Sequence, residues 1–522
     1  MKTDIRLIYK REYERIVHWV ESHSKGYRQN LAVLGRPFIG KTFIISKILD
    51  NLPDGVTSVL IDAKEIDKTY LIRSFSNSLL ASYLRGRCDS SNLEEKLRQV
   101  ELGLPNTVAY IRSHINHQAD FEMIFDLLTI FIRESRKRGL LVIEHFEQLE
   151  SLWGREVFSL LAKKIMEMKD VMFIITSSSI SRAKAILQRD LSLLFGNFEE
   201  IILTPPSPIS CQDYMGRALP GLSSQAQKFI YRFTGGSPFY MDILCRKIRS
   251  SFSSKLEGEW AVIKEVIYEE IFSNYGLINQ HFIRWISSLT DGPRGPQVPT
   301  FLLASTQEPR IDSLAHRFGW HRNLLEHKID VLKEEGLVYV DHDSLFFEDY
   351  LFKFWIRNVY RLRVENAGIG EQFFRRMAMD LIENEIEDFL NQDSIPHEER
   401  IRLLFNRFRS EFIIMPDGKK RRFYKFVNIE KIDSCDWMYV AISENGYKWL
   451  YAYRVAWTES DAFEFKSVAD NLKHMIQRKI MISLECFSSP VKVIAKESNV
   501  WLWDQRVLNY LLSLHGIGEI LW

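Results

Sequence analysis

Eight consecutive residues, Gly35-Arg36-Pro37-Phe38-Ile39-Gly40-Lys41-Thr42, place two glycines, a lysine and a hydroxyl at a spacing that suits phosphate chemistry. Gly35 and Gly40 let the backbone curl so that its N–H groups point inward and form an anion nest. Lys41 can reach terminal phosphates, and the Thr42 hydroxyl can complete a Mg²⁺ shell. Arg36, Pro37, Phe38 and Ile39 form the body of this loop, and Phe43 follows it on a helix whose N-terminus adds partial positive charge. The pattern GxxxxGK[ST] requires a strand before it and a helix after it. Asn30-Leu31-Ala32-Val33-Leu34 reads as a strand buried on both faces, and Phe43–Leu49 as an apolar helix that stops at Asn51–Pro53. From average residue frequencies, a chance match in a chain this long occurs about once in fifty.

Magnesium at such a loop needs a carboxylate on a neighbouring strand tip. Gly139-Leu140-Leu141-Val142-Ile143-Glu144 supplies it, preceded by Arg136, Lys137 and Arg138. Glutamate can hold a metal-bound water, so Thr42 and Glu144 are the metal candidates; the bland alternative makes Glu144 a solvent-facing strand end. His145 follows where a water-orienting group is wanted, and Glu147 lies two residues beyond. Lys41, Glu144 and His145 are therefore the catalytic candidates. A third strand, Val171–Thr176, runs into Ser177-Ser178-Ser179. Its polar end, Thr176 included, fits a γ-phosphate sensor or a helix N-cap equally well.

Taken in order, these segments resemble the archaeal-type ATPases of the STAND class, a branch related to AAA+ proteins. The likeness spans residues 1 to about 365. Tyr9-Lys10-Arg11-Glu12-Tyr13-Glu14 is similar to the family's opening motif without its glycine, and FIITSSSIS to its sensor strand. Thr234-Gly235-Gly236-Ser237-Pro238-Phe239-Tyr240-Met241 is similar to the family's GG-x-P segment, which implies Pro238 near the adenine; a helix-to-helix turn is the plain alternative. The resemblance implies ATP or ADP with Mg²⁺ as cofactors. Two departures, Glu144-His145 in place of Asp-Glu and Asn197 in place of an arginine, imply slow hydrolysis or a nucleotide switch.

The expected fold is α/β: a P-loop NTPase with a parallel sheet, a helical lid, a winged helix and a C-terminal α/β domain similar to PD-(D/E)XK nucleases. The corresponding boundaries are 1–204, 205–290, 291–365 and 366–522. Gly and Pro at Asp291–Pro296 mark the linker. Ile311–Phe318 and His321–Glu334 read as the winged-helix pair, with Leu337–Val340 and Ser344–Phe347 as the wing. If it meets DNA, Trp320, His321, Arg322 and Asn323 lead, with Lys328 further along; Asp330, Glu334 and Glu335 argue against a groove, and the resemblance implies an intramolecular lock or a protein contact in preference to DNA. Phe352, Phe354 and Trp355 read as core. In the last domain, strand-like runs are expected at Trp437–Ile442, Trp449–Trp457 and Val491–Ala495, with a helix near Ser467–Arg478. A nuclease would need an acid, Asp433 or Asp436, and an E-x-K pair. That position reads Ala452-Tyr453-Arg454, so the domain is expected to be inactive. The basic turn Asp417–Arg422 reads as a solvated loop in preference to a nucleic-acid contact.

The bulk numbers agree with this. Lys plus Arg number 69 and Asp plus Glu 68, a net charge of +1 that speaks against a dedicated nucleic-acid coat protein. No run reaches the 18 or so apolar residues of a membrane span, and the first residues lack a signal-peptide core, which points to the cytoplasm. The 5 cysteines, Cys88, Cys211, Cys245, Cys435 and Cys486, form no CxxC pair. A protein partner or self-association remains open for a regulatory ATPase.

Overall fold

The computed structural model describes residues 8–522 except 65–66, 85–91, 117–119, 192–196, 253–257, 291–297, 308, 342, 367, 369, 433–434 and 473–474. The Asp291–Pro296 linker, Asp433 and Cys88 fall outside the described residues. Two compact units are present, Met1–Gly221 with Ile230–Phe374, and Leu222–Phe229 with Arg375–Trp522.

The first unit is built on five parallel strands, β1 (Asn30–Leu34), β2 (Val56–Asp62), β3 (Arg138–Glu144), β4 (Val171–Ser177) and β5 (Phe198–Ile202), in the order β2-β3-β4-β1-β5. Every residue of β1 and β4 is buried, as unbroken apolar runs require in a sheet covered on both faces. Register aligns the strand ends: Asp62 pairs with Glu144, and Leu34 with both Ser177 and Ile202. The polar residues that terminate β2, β3 and β4 therefore share one edge with the start of the glycine loop, the usual ligand-binding edge of such a sheet. Helices Leu71–Leu84, Leu93–Val100, Pro105–His114 and Phe121–Ser135 intervene between β2 and β3 and pack through Phe75, Leu79, Leu97, Ile111, Phe121 and Phe125.

Helices Pro208–Ala218, Ser224–Thr234, Pro238–Phe252, Glu259–Ile267 and Leu277–Thr290 follow β5 in sequence. Three more helices, Val298–Gln307, Ile311–Phe318 and Arg322–Glu334, lead into an antiparallel hairpin of β6 (Val338–Asp341) and β7 (Ser344–Phe347). Gly319 ends the second of these in the left-handed conformation, and His321 precedes the third in extended conformation. Phe352, Phe354 and Trp355 are buried, and the Trp355 indole donates to Asn279 Oδ1 at 2.8 Å.

In the second unit, a small hairpin of β8 (Phe412–Ile414) and β9 (Lys420–Arg422) precedes a mixed sheet. Its strands β10 (Phe426–Ile432), β11 (Cys435–Ser443), β12 (Lys448–Arg454), β13 (Arg478–Ser483) and β14 (Trp501–Trp503) run in chain order, antiparallel up to β12 and parallel after it. Two expectations are corrected here. Val491–Ala495 lies in a helix, Ser489–Glu497, because Pro490 suits its first turn and Val491, Ile494 and Ala495 fall on one buried face. The helix expected near Ser467–Arg478 is Glu459–Asn471, fixed by a capping box between Thr458 and Asp461, and Arg478 instead opens β13.

His23 couples the first unit to pH. Its Nε2–H donates to the Gly139 carbonyl at 2.9 Å, and burial pushes its pKa down to about 4. The unfolded chain takes up this proton near pH 6.5, so the unfolding free energy is expected to fall as pH drops from 6.5 to 4, by on the order of 3 kcal/mol from this group. Urea titrations across that window check it, and His23→Gln should remove that part of the slope.

Candidate functional site

Gly35 leaves β1 where no side chain fits: a Cβ there would meet Ile39 Cγ2 at 2.9 Å and the Leu203 carbonyl at 3.0 Å. The loop then turns through Phe38 at φ 58° and Gly40 at φ 100°, both left-handed. Gly40 caps helix Lys41–Leu49 without any side-chain acceptor, and the first intrahelical bond is Ile44 N–H to the Gly40 carbonyl. The N–H groups of Lys41, Thr42 and Phe43 thus have no partner inside the helix, which makes an anion site of its N-terminus. Tyr9, from the opening motif, braces the loop from below, its hydroxyl lying 2.9 Å from the Ile39 carbonyl and 3.1 Å from that of Thr204.

Lys41 is buried, and its ammonium donates to the Gly35 and Arg36 carbonyls at 2.7 and 2.9 Å. Burial pushes its pKa down to about 7, against the pull of Glu147 and Glu144. Both carboxyls are themselves buried, and burial raises the pKa of each. The Thr42 hydroxyl near Glu144 and the Ser177 hydroxyl near Glu147 pull the other way, each favouring the ionised carboxylate. Among the described residues, Glu144 Oε1 and Glu147 Oε2 are buried oxygens without a hydrogen-bond partner. An orphaned carboxylate oxygen beside a threonine hydroxyl fits a hydrated Mg²⁺, so Thr42 and Glu144 could hold the metal.

His145 does not turn into this cluster. It adopts φ 50°, and its Nδ1 lies 2.9 Å from Asp62 Oδ1 on β2. That left-handed residue reverses the chain into the turn Phe146–Gln148 and brings Glu147 back under the loop. Asp62 ends an apolar run, Val56–Asp62, and that pattern could have flagged it. Thr176 is buried within β4 opposite Val33. Ser177, one residue on, bonds the Ser179 carbonyl and amide.

Pro238 is buried at the start of helix Pro238–Phe252. Its neighbour Ser237 donates to the Phe38 carbonyl at 2.7 Å. The Phe38 ring meets His281 and Trp285 edge-on, at centroid distances of 4.2 and 4.6 Å. Arg36 reaches the other way, donating to the Glu348 carbonyl at 2.6 Å and to that of Gly235 at 3.4 Å. Gly336, at φ 69°, lies so close to Pro37 that a Cβ would meet Pro37 Cδ at 2.5 Å. Lys64 pairs with Glu335 at 3.5 Å. Sequence reasoning placed residues 36–38 in the ligand loop but did not anticipate these ties, which join segments some 200 and 300 residues away in the chain.

No family model and no curated protein matches the chain. Solved structures do. The chain is similar to a Walker-type ATPase of Pyrococcus abyssi, with 12% identity over 67% of this chain and 96% of that one and a TM-score of 0.48. It is similar to the ORC2 protein of Aeropyrum pernix, with 12% identity over 74% and 99% and a TM-score of 0.43. Similarity to RuvB of Thermotoga maritima is 11% over 69% and 96%, with a TM-score of 0.34. These are distant likenesses of fold, and what the site can do follows from its own geometry.

Bound phosphates would restore the charge of Lys41, so binding takes up a proton wherever the free ammonium has lost it, above about pH 7. Nucleotide affinity is therefore expected to fall as pH rises from 7.5 to 9.5, at a limiting rate of about tenfold per pH unit. Calorimetry at pH 8.5 in two buffers of different ionisation enthalpy should show net proton uptake; identical heats and a flat profile would contradict it.

Proposed function

We propose that this chain is an ATP-binding regulatory ATPase of STAND type, a nucleotide-dependent switch that hydrolyses ATP slowly with Mg²⁺. The observation that carries the reading is that the loop built for phosphates is also the loop gripped by its surroundings. Arg36, Pro37 and Phe38 are tied to residues 235–237, to Phe239 and helix Leu277–Thr290, and to Gly336 and Glu348 on either side of the β6–β7 hairpin. A ligand that repositions the loop must alter those contacts, so occupancy and the position of the hairpin segment are linked.

In this reading residues 205–290 are a lid and 291–365 a winged helix acting as an intramolecular lock. Its would-be recognition end supports a lock over a DNA contact. Trp320 packs against Phe301 and Phe318 with Lys328 over its face, and Arg322 is surrounded by Asp312, Glu326 and Asp343. The C-terminal unit is read as an inactive nuclease-like fold, since β12 offers Ala452 and Arg454 where chemistry would need Glu and Lys, and Arg454 lies over the Trp437 ring at 4.2 Å.

Mg²⁺ with ATP supplies the electrophilic phosphorus and the charge that the loop is built to receive. The backbone of 36–43 and Lys41 would orient the phosphates, and Thr42 and Glu144 would hold the metal. Glu147, buried and within electrostatic reach of Lys41, would be the carboxylate that orients or deprotonates the attacking water; His145 would position the turn through Asp62. Slow turnover follows from a carboxylate set one turn further along than the strand tip.

Steady-state ATP turnover by the wild type, Lys41→Ala and Glu147→Gln tests this. The wild type should turn over slowly. Lys41→Ala should abolish turnover, and Glu147→Gln should lower kcat by about 100-fold while nucleotide binding persists. Turnover unchanged in Glu147→Gln would remove its role. Nucleotide that survives purification and never exchanges would replace the switch with a static scaffold.

A further inference from the structure

The second unit carries a surface that the nucleotide site does not explain. On the β8–β9 hairpin, Lys419, Lys420 and Arg422 are exposed, and so are Phe412 and Ile414 at 50% and 46%. Arg421 and Arg478, from different strands, both lie over the Trp501 ring, at 4.9 and 4.2 Å from its centroid. Arg422 sits between the Tyr424 and Phe412 rings at 5.2 and 5.9 Å, and Tyr424 stacks on the exposed Tyr447 at 4.6 Å.

Charge on this surface is poorly compensated from within. Asp417 pairs with Arg421 at 2.7 Å. Among the described residues, no carboxylate lies within ion-pair reach of Lys420, Arg422 or Arg478. The neighbouring acids are engaged elsewhere: Glu444 with Lys425, and Glu411 with the Arg409 amide. Two guanidiniums on one indole repel each other, and Arg478 is held below its ordinary pKa by burial and by Arg421. An external anion between them would relieve that repulsion.

Position separates this surface from the degenerate nuclease centre. Arg478 pairs with Trp449 near the start of β12, and Trp501 with Ile480 near the start of β13. Arg454 and Ser483 end those strands, at the opposite edge of the sheet.

We propose that the face formed by the β8–β9 hairpin, Tyr424, Tyr447, Arg478 and Trp501 is a binding platform for single-stranded nucleic acid. Phosphates meet Lys420, Arg422 and the Arg421–Arg478 pair, and splayed bases stack on Phe412 and Tyr447. Flat aromatic faces flanked by guanidiniums are what a single strand uses, because each base has a face to stack while the adjoining phosphates meet the charges.

Fluorescence anisotropy of the full chain with labelled 20-nucleotide dT and rU strands tests this across a KCl series. Binding that weakens with salt, with a log–log slope of about −2 or steeper, is expected. Lys420→Glu/Arg422→Glu should weaken binding at least tenfold, Tyr447→Ala severalfold, and Lys420→Arg/Arg422→Lys little. The two strands report which sugar is preferred. Thermal melts confirm folding, and if the double charge reversal unfolds the chain, Lys420→Gln/Arg422→Gln supplies the same comparison. No binding by the wild type at low salt, equal binding by the charge-reversed variant, or binding to phosphatidylserine vesicles in place of the oligonucleotides would overturn the proposal.

Discussion

An ammonium removed from water must be answered by something nearby, and much of the first unit is arranged around the answer given to Lys41. Its donors are spent on the Gly35 and Arg36 carbonyls of its own loop, and its charge is balanced by Glu144 and Glu147. Each of those carboxyls is buried as well, so burial pushes all three groups toward their neutral forms while the attraction between ammonium and carboxylates opposes it. Such a cluster is stable only while the loop keeps its shape. That is why Gly35 cannot carry a Cβ, why Phe38 and Gly40 take left-handed angles, and why Tyr9 reaches in beneath the loop.

The same loop is the meeting point of distant segments. Residues 36, 37 and 38 each face a different neighbour: Arg36 the carbonyls of Gly235 and Glu348, Pro37 the Gly336 backbone, Phe38 the rings of the helices Pro238–Phe252 and Leu277–Thr290. Tyr240 and Asp349 add a further link between two of these neighbours, with a hydroxyl-to-carboxylate bond of 2.8 Å inside the core. Each neutral hydrogen bond contributes about 1 kcal/mol net, and those of the Arg36 guanidinium somewhat more. Because all of them converge on one short loop, a ligand that moves it acts on every tie at once.

Three of the five parallel strands and the loop were legible in the sequence because they rest on local patterns; β2, interrupted by Thr57 and Ser58, and β5, with Glu199 and Glu200, were not. Unbroken apolar runs specified β1, β3 and β4, and GRPFIGKT specified the turn between β1 and its helix. The helices Ile311–Phe318 and Arg322–Glu334 were legible from their periodicity and the glycine between them. What could not be read is what depends on direction. His145 and Glu147 are two residues apart, and only the left-handed turn at His145 decides that the glutamate returns to the lysine while the histidine goes to Asp62. The C-terminal errors have a related cause. Val491–Ala495 is short and apolar, and such a run suits a strand or a buried helix equally until Pro490, suited to a helix's first turn, is weighed. Likewise Arg478 and Trp501 lie 23 residues apart, and only the pairing of β13 with β14 brings them together.

Hydrogen exchange at residues 36–43 and 336–348, with and without a non-hydrolysable Mg²⁺–ATP analogue, addresses the coupling most directly. A switch predicts opposite changes: slower exchange in the loop as its N–H groups meet phosphate, and faster exchange around Gly336 and Glu348 as their grip on Arg36 and Pro37 is released. Protection of the loop with no change at 336–348 would contradict the account and leave a nucleotide site unconnected to the segment that grips it.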